Sequence, residues 1–335
     1  MTFGEFVTHW QEKFVEHKLE ATSIKNYLFH TQKRILPHFQ NKRIDQIKTI
    51  EIEDFMLKLK KPGARIDGKD GALGASSLAY IYRVLQSIFS KAVEWKIIKD
   101  NPMVGVTKPK ESPREMAVYN EDEVTRLFEA LQNEHPRFRM LITLALTTGM
   151  RRAELIGLEW RHVDLEKGII EVKQSIPLVN NGQPVIKGPK NKSSVRKISL
   201  PQSVVNELEA FKLYMKKERL KIYDRWEGDP EHSYVFTTWY GRHLNQKTPG
   251  VWWREFHQRN PDLKYIRFHD LRHTSATLLI NQGVHAKIIS SRLGHSKIGT
   301  TMNVYGHVIE SADRAAASKF DAFLPASSPF VDKSS

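Results

Sequence analysis

The chain reads as a mostly α protein with a small β-sheet, split into a helical module and a larger α+β domain. Three observations predict this. Apolar residues recur at helical spacing from Thr2 to Asn101. A period of two replaces that spacing between Asp164 and Pro201. Between the two domains, Asn101 to Tyr119 (NPMVGVTKPKESPREMAVY) combines prolines and basic residues with little periodicity. The expected divisions are a helical module over 1–103, a linker over 104–118, a second domain over 119–325 and a disordered tail over 326–335.

In the first module, Thr2 and Glu5 form a capping box, and Phe3, Phe6, Val7, Trp10 and Phe14 follow on one helix face. A second helix starts near Thr22, carries Ile24, Tyr27, Leu28, Ile35 and Leu36, and stops at Pro37. A third follows Thr49, with acidic residues in its first turn and Ile52, Phe55, Met56 and Leu59 as its stripe. The Gly- and Lys-rich stretch from Lys60 to Ala75 predicts an irregular mobile loop, either simply solvated or a basic arm along a nucleic-acid backbone. Ser76 or Ser77 then caps a fourth helix with Leu78, Ile81, Tyr82, Leu85, Ile88, Phe89, Ala92 and Trp95 inside.

The second domain opens with the capping pair Asn120 and Glu123, ahead of Val124, Leu127, Phe128 and Leu131. Met140 to Leu146 is almost wholly apolar, which predicts a helix buried on most sides; Thr148-Gly149 ends it, and Arg151, Arg152 and Glu154 begin the next. Held at the edge of that helix pair, Arg151 could present its planar fork to a phosphate, with Glu154 supporting it or pairing with Arg152; the plainer alternative is a surface ion pair. Ile169 to Val172 is read as a strand, Asn181-Gly182 as a hairpin turn and Val195 to Leu200 as a last strand. Lys190 and Lys192 lie in GPKNKSSVRK, between the last two strands, as candidates to reach a reacting phosphate. Helices are expected over Val204 to Lys217 and around Val251 to Arg254, and Val235-Phe236 as a short buried piece.

The residues richest in chemistry run from Phe268 to Tyr305. His269 and Arg272, three apart, share one helix face. Leu278, Leu279, Ile280, Ile288, Ile289 and Leu293 bury the other side, and Gly283 and Gly294 divide the segment. The turn containing His295 and then the lone Tyr305 come next, an order that suggests a phosphate clamp feeding a nucleophile. His269 and His273 have the spacing of a zinc helix, but Asp270 is not where that motif places its glutamate and the chain has no cysteine; His273 reads instead as a structural histidine.

Composition bounds the partner. Lys and Arg number 52 against 38 Asp and Glu, a formal charge of +14, which favours a polyanion over a merely basic soluble role. The absence of cysteine excludes disulfides and thiolate chemistry. No run approaches the roughly 20 apolar residues of a membrane span, and Met1 to Trp10 lacks a signal-peptide pattern, so a cytoplasmic location is the default.

TTGMRRAEL, PKNKSSVRK, HDLRH, LGH and Tyr305, in this order, resemble the tyrosine recombinase family, the integrases of phages and conjugative elements. The resemblance implies a helical core-binding domain followed by an α+β catalytic domain, and a site-specific recombinase that cleaves and rejoins DNA through a 3′-phosphotyrosine. It implies that Arg151 and Arg272 hold the phosphate, that His295 adds a hydrogen bond, and that Tyr305 attacks and frees a 5′-hydroxyl. Lys190 would be the general acid, with Lys192 as the alternative because Leu178 to Lys187 lengthens the hairpin. His269 would act as general base or orient the tyrosine. No metal or nucleotide cofactor is implied, since the phosphotyrosine conserves the bond energy. The implied partners are double-stranded DNA attachment sites, a homotetramer on two duplexes, and a host bending factor or excisionase. The segment Gly306 to Leu324 is read as a short helix that packs on its own domain or docks on a neighbour. Relatives often carry an arm-binding domain ahead of the core-binding module; this chain starts at the module, as a two-domain member or a shortened form. Two rival readings are a type IB topoisomerase-like enzyme, which would need neither a specific sequence nor two sites, and a catalytically silent DNA-binding regulator, which the full set of candidate residues argues against.

Overall fold

The computed structural model describes residues 1–110, 116–180, 182–188 and 195–294. Lys190, Lys192, His295, Tyr305, the Asn181 turn residue, the segment Gly306 to Leu324 and the tail 326–335 lie outside the described residues. The chain divides into two compact units, Met1–Glu115 and Met116–Ser335.

In the first unit, α1 (Phe3–Trp10) begins at a complete capping box, with Thr2 accepting from the Glu5 N–H and Glu5 accepting from the Thr2 N–H. The unit's other long helices are α2 (Ala21–His30), α3 (Thr49–Leu59) and α4 (Ala75–Glu94). Phe3, Phe6, Trp10, Phe39, Ile52 and Phe89 are fully buried, and Phe3 packs on both Phe39 and Phe89. Three expectations need correction. Pro37 does not stop the second helix: α2 passes through a π turn (Thr31–Ile35) into Leu36–Phe39, and the wider turn ahead of the proline relieves the clash its ring makes with an ordinary preceding turn. Gly74, rather than Ser76 or Ser77, occupies the cap of α4, without a side-chain hydrogen bond. Residues 104–107 are not extended linker. Met103 and Val106 are buried in this unit's core, and the Thr107 N–H donates to Glu53. Lys60 to Gly74 is irregular, as its composition predicts, though Arg34 ties it down through the Ala64 carbonyl at 2.6 Å.

In the second unit, α5 (Glu121–Leu131) starts at the Asn120–Glu123 capping box. Next comes α6 (Pro136–Thr148), buried continuously from Met140 to Leu146, as its run of apolar residues requires. It closes on Gly149 in the left-handed conformation, φ +63°. The short α7 (Arg152–Ile156) follows. The strands are β1 (Val163–Asp164), β2 (Ile169–Val172), β3 (Ser175–Asn180), β4 (Gln183–Lys187) and β5 (Arg196–Ser199). They form two sheets: β1, β2 and β5 pair antiparallel in that order, and β3 and β4 form a separate hairpin. The strands on either side of Lys190 and Lys192, β4 and β5, therefore belong to different sheets and do not pair with each other. Helices α8 (Gln202–Lys221), α9 (Thr248–Arg259), α10 (Asp270–Asn281) and α11 (Ala286–Leu293) follow among the described residues. Its core includes Tyr119, Leu144, Leu155, Ile170, Phe236, Trp253 and Leu271; the Trp253 indole donates to the Ile266 carbonyl at 2.7 Å. Ile289 and Leu293, four apart, pack inward from α11 with Ala276, but Ile288, expected inside, falls about a hundred degrees around the helix and is 61% exposed. Among the described residues no helix is long and apolar enough to cross a membrane.

Gly149 brings the end of α6 against α11. A Cβ there would lie 2.4 Å from Cδ2 of the buried Leu293, on a backbone that side chains rarely adopt. Gly149→Ala is expected to destabilise the second unit by about 1–3 kcal/mol. A thermal denaturation midpoint unchanged from wild type would contradict this packing.

Candidate active site

Two arginines singled out by sequence meet at the carboxyl end of α11. Arg151 precedes α7, and its backbone N–H donates to Glu154 Oε2 at 2.8 Å. Its guanidinium donates through Nη1 to Glu154 Oε1 at 2.8 Å and through Nη2 to the Gly294 carbonyl at 3.0 Å. Arg272, on the first turn of α10, is buried; Nη1 donates to the Gly149 carbonyl at 2.6 Å and Nη2 to the Leu293 carbonyl at 2.7 Å. The two forks thus grip adjacent carbonyls, where a helix ends with unsatisfied oxygens and partial negative charge.

A third arginine completes the grip, and sequence reasoning missed it. Arg196 on β5 is buried and donates through Nε to the Arg292 carbonyl at 2.6 Å. Its Nη1 and Nη2 bond Glu154 Oε1 and Oε2 at 3.2 and 2.8 Å. Glu154 consequently serves Arg151 and Arg196, and not Arg152. Burial pushes its carboxyl upward, but the hydrogen bond and charge of Arg196, together with Arg151, outweigh this and hold its pKa below the ordinary carboxylate value. The available signal was strand parity: Arg196 and Ile198 face in while Lys197 and Ser199 face out. Arg292 fastens α11 from its own side, donating to the Thr147 carbonyl at 2.7 Å and the Ser199 carbonyl at 3.1 Å.

His269 stands directly before α10, in the electrostatic field of both Arg272 and Arg151. Burial, then Arg272, lowers its pKa, Asp270 opposing and Arg151 adding to the fall. Asp270 is buried and accepts from Arg267 Nε and Nη2, each at 2.8 Å, and from its backbone N–H at 3.0 Å. Burial raises its carboxyl, and the Arg267 hydrogen bonds override that and lower it. His273 meets His269 edge to face at 5.3 Å between ring centres; burial first, then the His269 charge, lowers its pKa to about 4. Among the described residues no three His, Asp or Glu side chains are grouped to hold a metal ion. The structure therefore brings Arg151, Arg272 and His269 together from two separate parts of the chain. Lys190, Lys192, His295 and Tyr305 lie outside the described residues.

Residues 118–311 match the model of the phage integrase family, a span that contains all of these positions. The chain belongs to that family. Residues 2–60 match the N-terminal SAM-like domain of phage integrases. Among relatives of this integrase-family chain is a XerC-like tyrosine recombinase of Caldanaerobacter subterraneus subsp. tengcongensis, 28% identical over 92% of this chain and 80% of that protein. Another is the ICEBs1 integrase of Bacillus subtilis, 29% identical over 90% of this chain and 77% of the relative. The fold is shared with the Tn1549 transposon integrase, solved in complex with a circular intermediate DNA. There the TM-score is 0.75 at 20% identity, over 96% of this chain and 99% of that one.

Removing one partner of a buried ion pair strands the other, so Arg196→Met is expected to cost about 3–5 kcal/mol. Arg196→Met with Glu154→Gln should lose less than the sum of the single variants, read by urea denaturation; strict additivity would refute the coupling. For His273, the unfolded imidazole binds its proton near pH 6.5 and the folded one only near 4. Between these values the unfolded state holds more protons, so stability falls as pH drops from about 6.5 towards 4. His273→Gln should flatten that slope, and an unaltered urea-midpoint profile would show that His273 does not supply it.

Proposed function

We propose that this chain, a site-specific DNA recombinase by its family, breaks and rejoins DNA by attack of Tyr305 on a phosphodiester that Arg151 and Arg272 hold. The observation that carries the reading is the pair of guanidinium groups side by side on the Leu293 and Gly294 carbonyls, at the point where the chain leaves for His295 and Tyr305. A phosphodiester presents negative oxygens around phosphorus and a poor leaving group; fixed cations neutralise the charge that grows in the transition state. Each guanidinium carries five donors, and the carbonyl and carboxylate bonds fix its plane before substrate arrives.

The phenolic oxygen of Tyr305 forms a bond to phosphorus while the bond to the 5′ oxygen breaks. His269, with a pKa below the ordinary histidine value, is suited to take the phenol proton or to orient the ring. Lys190, or Lys192, returns a proton to the departing 5′ oxygen, and His295 donates to a non-bridging oxygen. The resulting 3′-phosphotyrosine stores the bond for the reverse attack by a 5′-hydroxyl, so rejoining needs no nucleotide. Double-stranded DNA is the partner that the +14 charge favours. Assembly as a tetramer on two duplexes extends the same reading; lambda integrase, which shares the fold at TM-score 0.64 and 18% identity, has been solved as a tetramer bound to a Holliday junction.

The test is a labelled duplex carrying the attachment site, nicked to trap cleavage and run on denaturing gels. Wild type should form a covalent protein–DNA adduct and Tyr305→Phe none, while both bind the duplex. Binding without an adduct from either protein would overturn the catalytic reading.

A further inference from the structure

At the opposite end of α6 from Arg151, the second unit buries a cation whose terminal nitrogens find no hydrogen-bond partner among its described residues. Arg137 is 3% exposed, yet its Nη1 and Nη2 have no hydrogen-bond partner among the described residues. Its Nε–H reaches only Met215 Sδ at 3.4 Å. The carboxylates nearby are engaged elsewhere: Glu218 pairs with Lys221 at 2.6 Å and Glu134 with Arg259 at 2.7 Å. Burial lowers the Arg137 pKa, with the field of Tyr214 and Glu218 only partly opposing the fall. A buried charge without a counter-charge is strongly disfavoured, and such a group at a cleft marks a place where an opposite charge belongs.

The cleft is present. Arg137 lines a pocket of about 210 Å³ together with Phe138, Thr237, Trp239, Trp252 and Glu255. The Thr237 hydroxyl is also buried and unpartnered. Phe138 and Trp252 meet edge to face, giving an apolar corner. Trp239 lies over the guanidinium, 4.3 Å from its carbon to the ring centre, and is itself 57% exposed, so it covers the fork as a lid. Two terminal nitrogens in one plane match the two oxygens of a carboxylate. Arg259 also lines the pocket but is held by Glu134, and Glu255 adds a negative charge to the lining, so the site suits a singly charged acid better than a doubly charged phosphate.

We propose that this pocket binds a planar aromatic carboxylate, its acid group on Arg137 and its ring between Trp239, Trp252 and Phe138. The carboxylate enters beside the indole of Trp239 and shifts it. This site is independent of the DNA reaction and requires none of its residues.

The test titrates the full chain with phenylacetate and with indole-3-acetate, by calorimetry and by tryptophan fluorescence. One of the two acids should bind saturably with a fluorescence change that Trp239→Phe removes. Arg137→Met should weaken binding by about 10 to 100-fold, the worth of a charge-assisted bidentate contact, without loss of folded circular dichroism. Arg137→Lys, which keeps the charge but not the fork, should weaken it as well, and supplies the test if the methionine variant fails to fold. Phenylacetamide and inorganic phosphate should bind far more weakly. The proposal is overturned if neither acid binds by about 10 mM, if the Arg137 variants bind as wild type does, or if the amide or phosphate binds equally well.

Discussion

Everything at the candidate active site rests on one carboxylate, that of Glu154, shared between Arg151 and Arg196. Without it, the buried Arg196 guanidinium would lose its counter-charge and the half-exposed Arg151 would lose the group that orients it. With it, β5, the start of α7 and the end of α11 become one unit, because each arginine that Glu154 holds also donates to a carbonyl of α11 or of the residue after it. Arg272 joins the same helix end to the glycine that closes α6. The backbone oxygens supply partial negative charge and direction but no formal charge, so the site keeps a net excess of fixed cations. That excess is what an anionic phosphodiester would complete, and the protein's own packing maintains it before any substrate binds.

The helical layout was legible because its signals are local. Capping boxes at Thr2–Glu5 and Asn120–Glu123 and the unbroken apolar run of α6 each specify structure within a few residues. Arg151, His269 and Arg272 each have bland readings alone, and the order of the motifs singled them out; the structure brings the three together. Arg196 was not, although it lay inside a quoted motif, because an inward-facing arginine on a short strand looks like an ordinary polar alternation until its partner across the fold is known. Pro37 misled through a rule that holds for α turns and is relaxed by a π turn. Met103 and Val106 were hidden among prolines and lysines, and only the core they complete shows them to be structural. The split of the strands into two sheets depends on long-range pairing of β5 with β2, which no local pattern encodes.

Such packing also constrains two glycines at the site. Gly149 and Gly294 each close a helix in the left-handed conformation, and each leaves room for a neighbour from the other side of the site, Leu293 in one case and Arg196 in the other. The two helix ends are thereby interlocked, with neither able to gain a side chain without displacing a group that the other needs.

The grip on the end of α11 also gives the site a pivot. Arg196, Arg272 and Arg151 seize three successive carbonyls, of Arg292, Leu293 and Gly294, so the chain departs towards Tyr305 from a point fixed on three sides. Because the three donors come from β5, from α10 and from the residue before α7, a shift of any one of these elements against the others is felt at this one helix end.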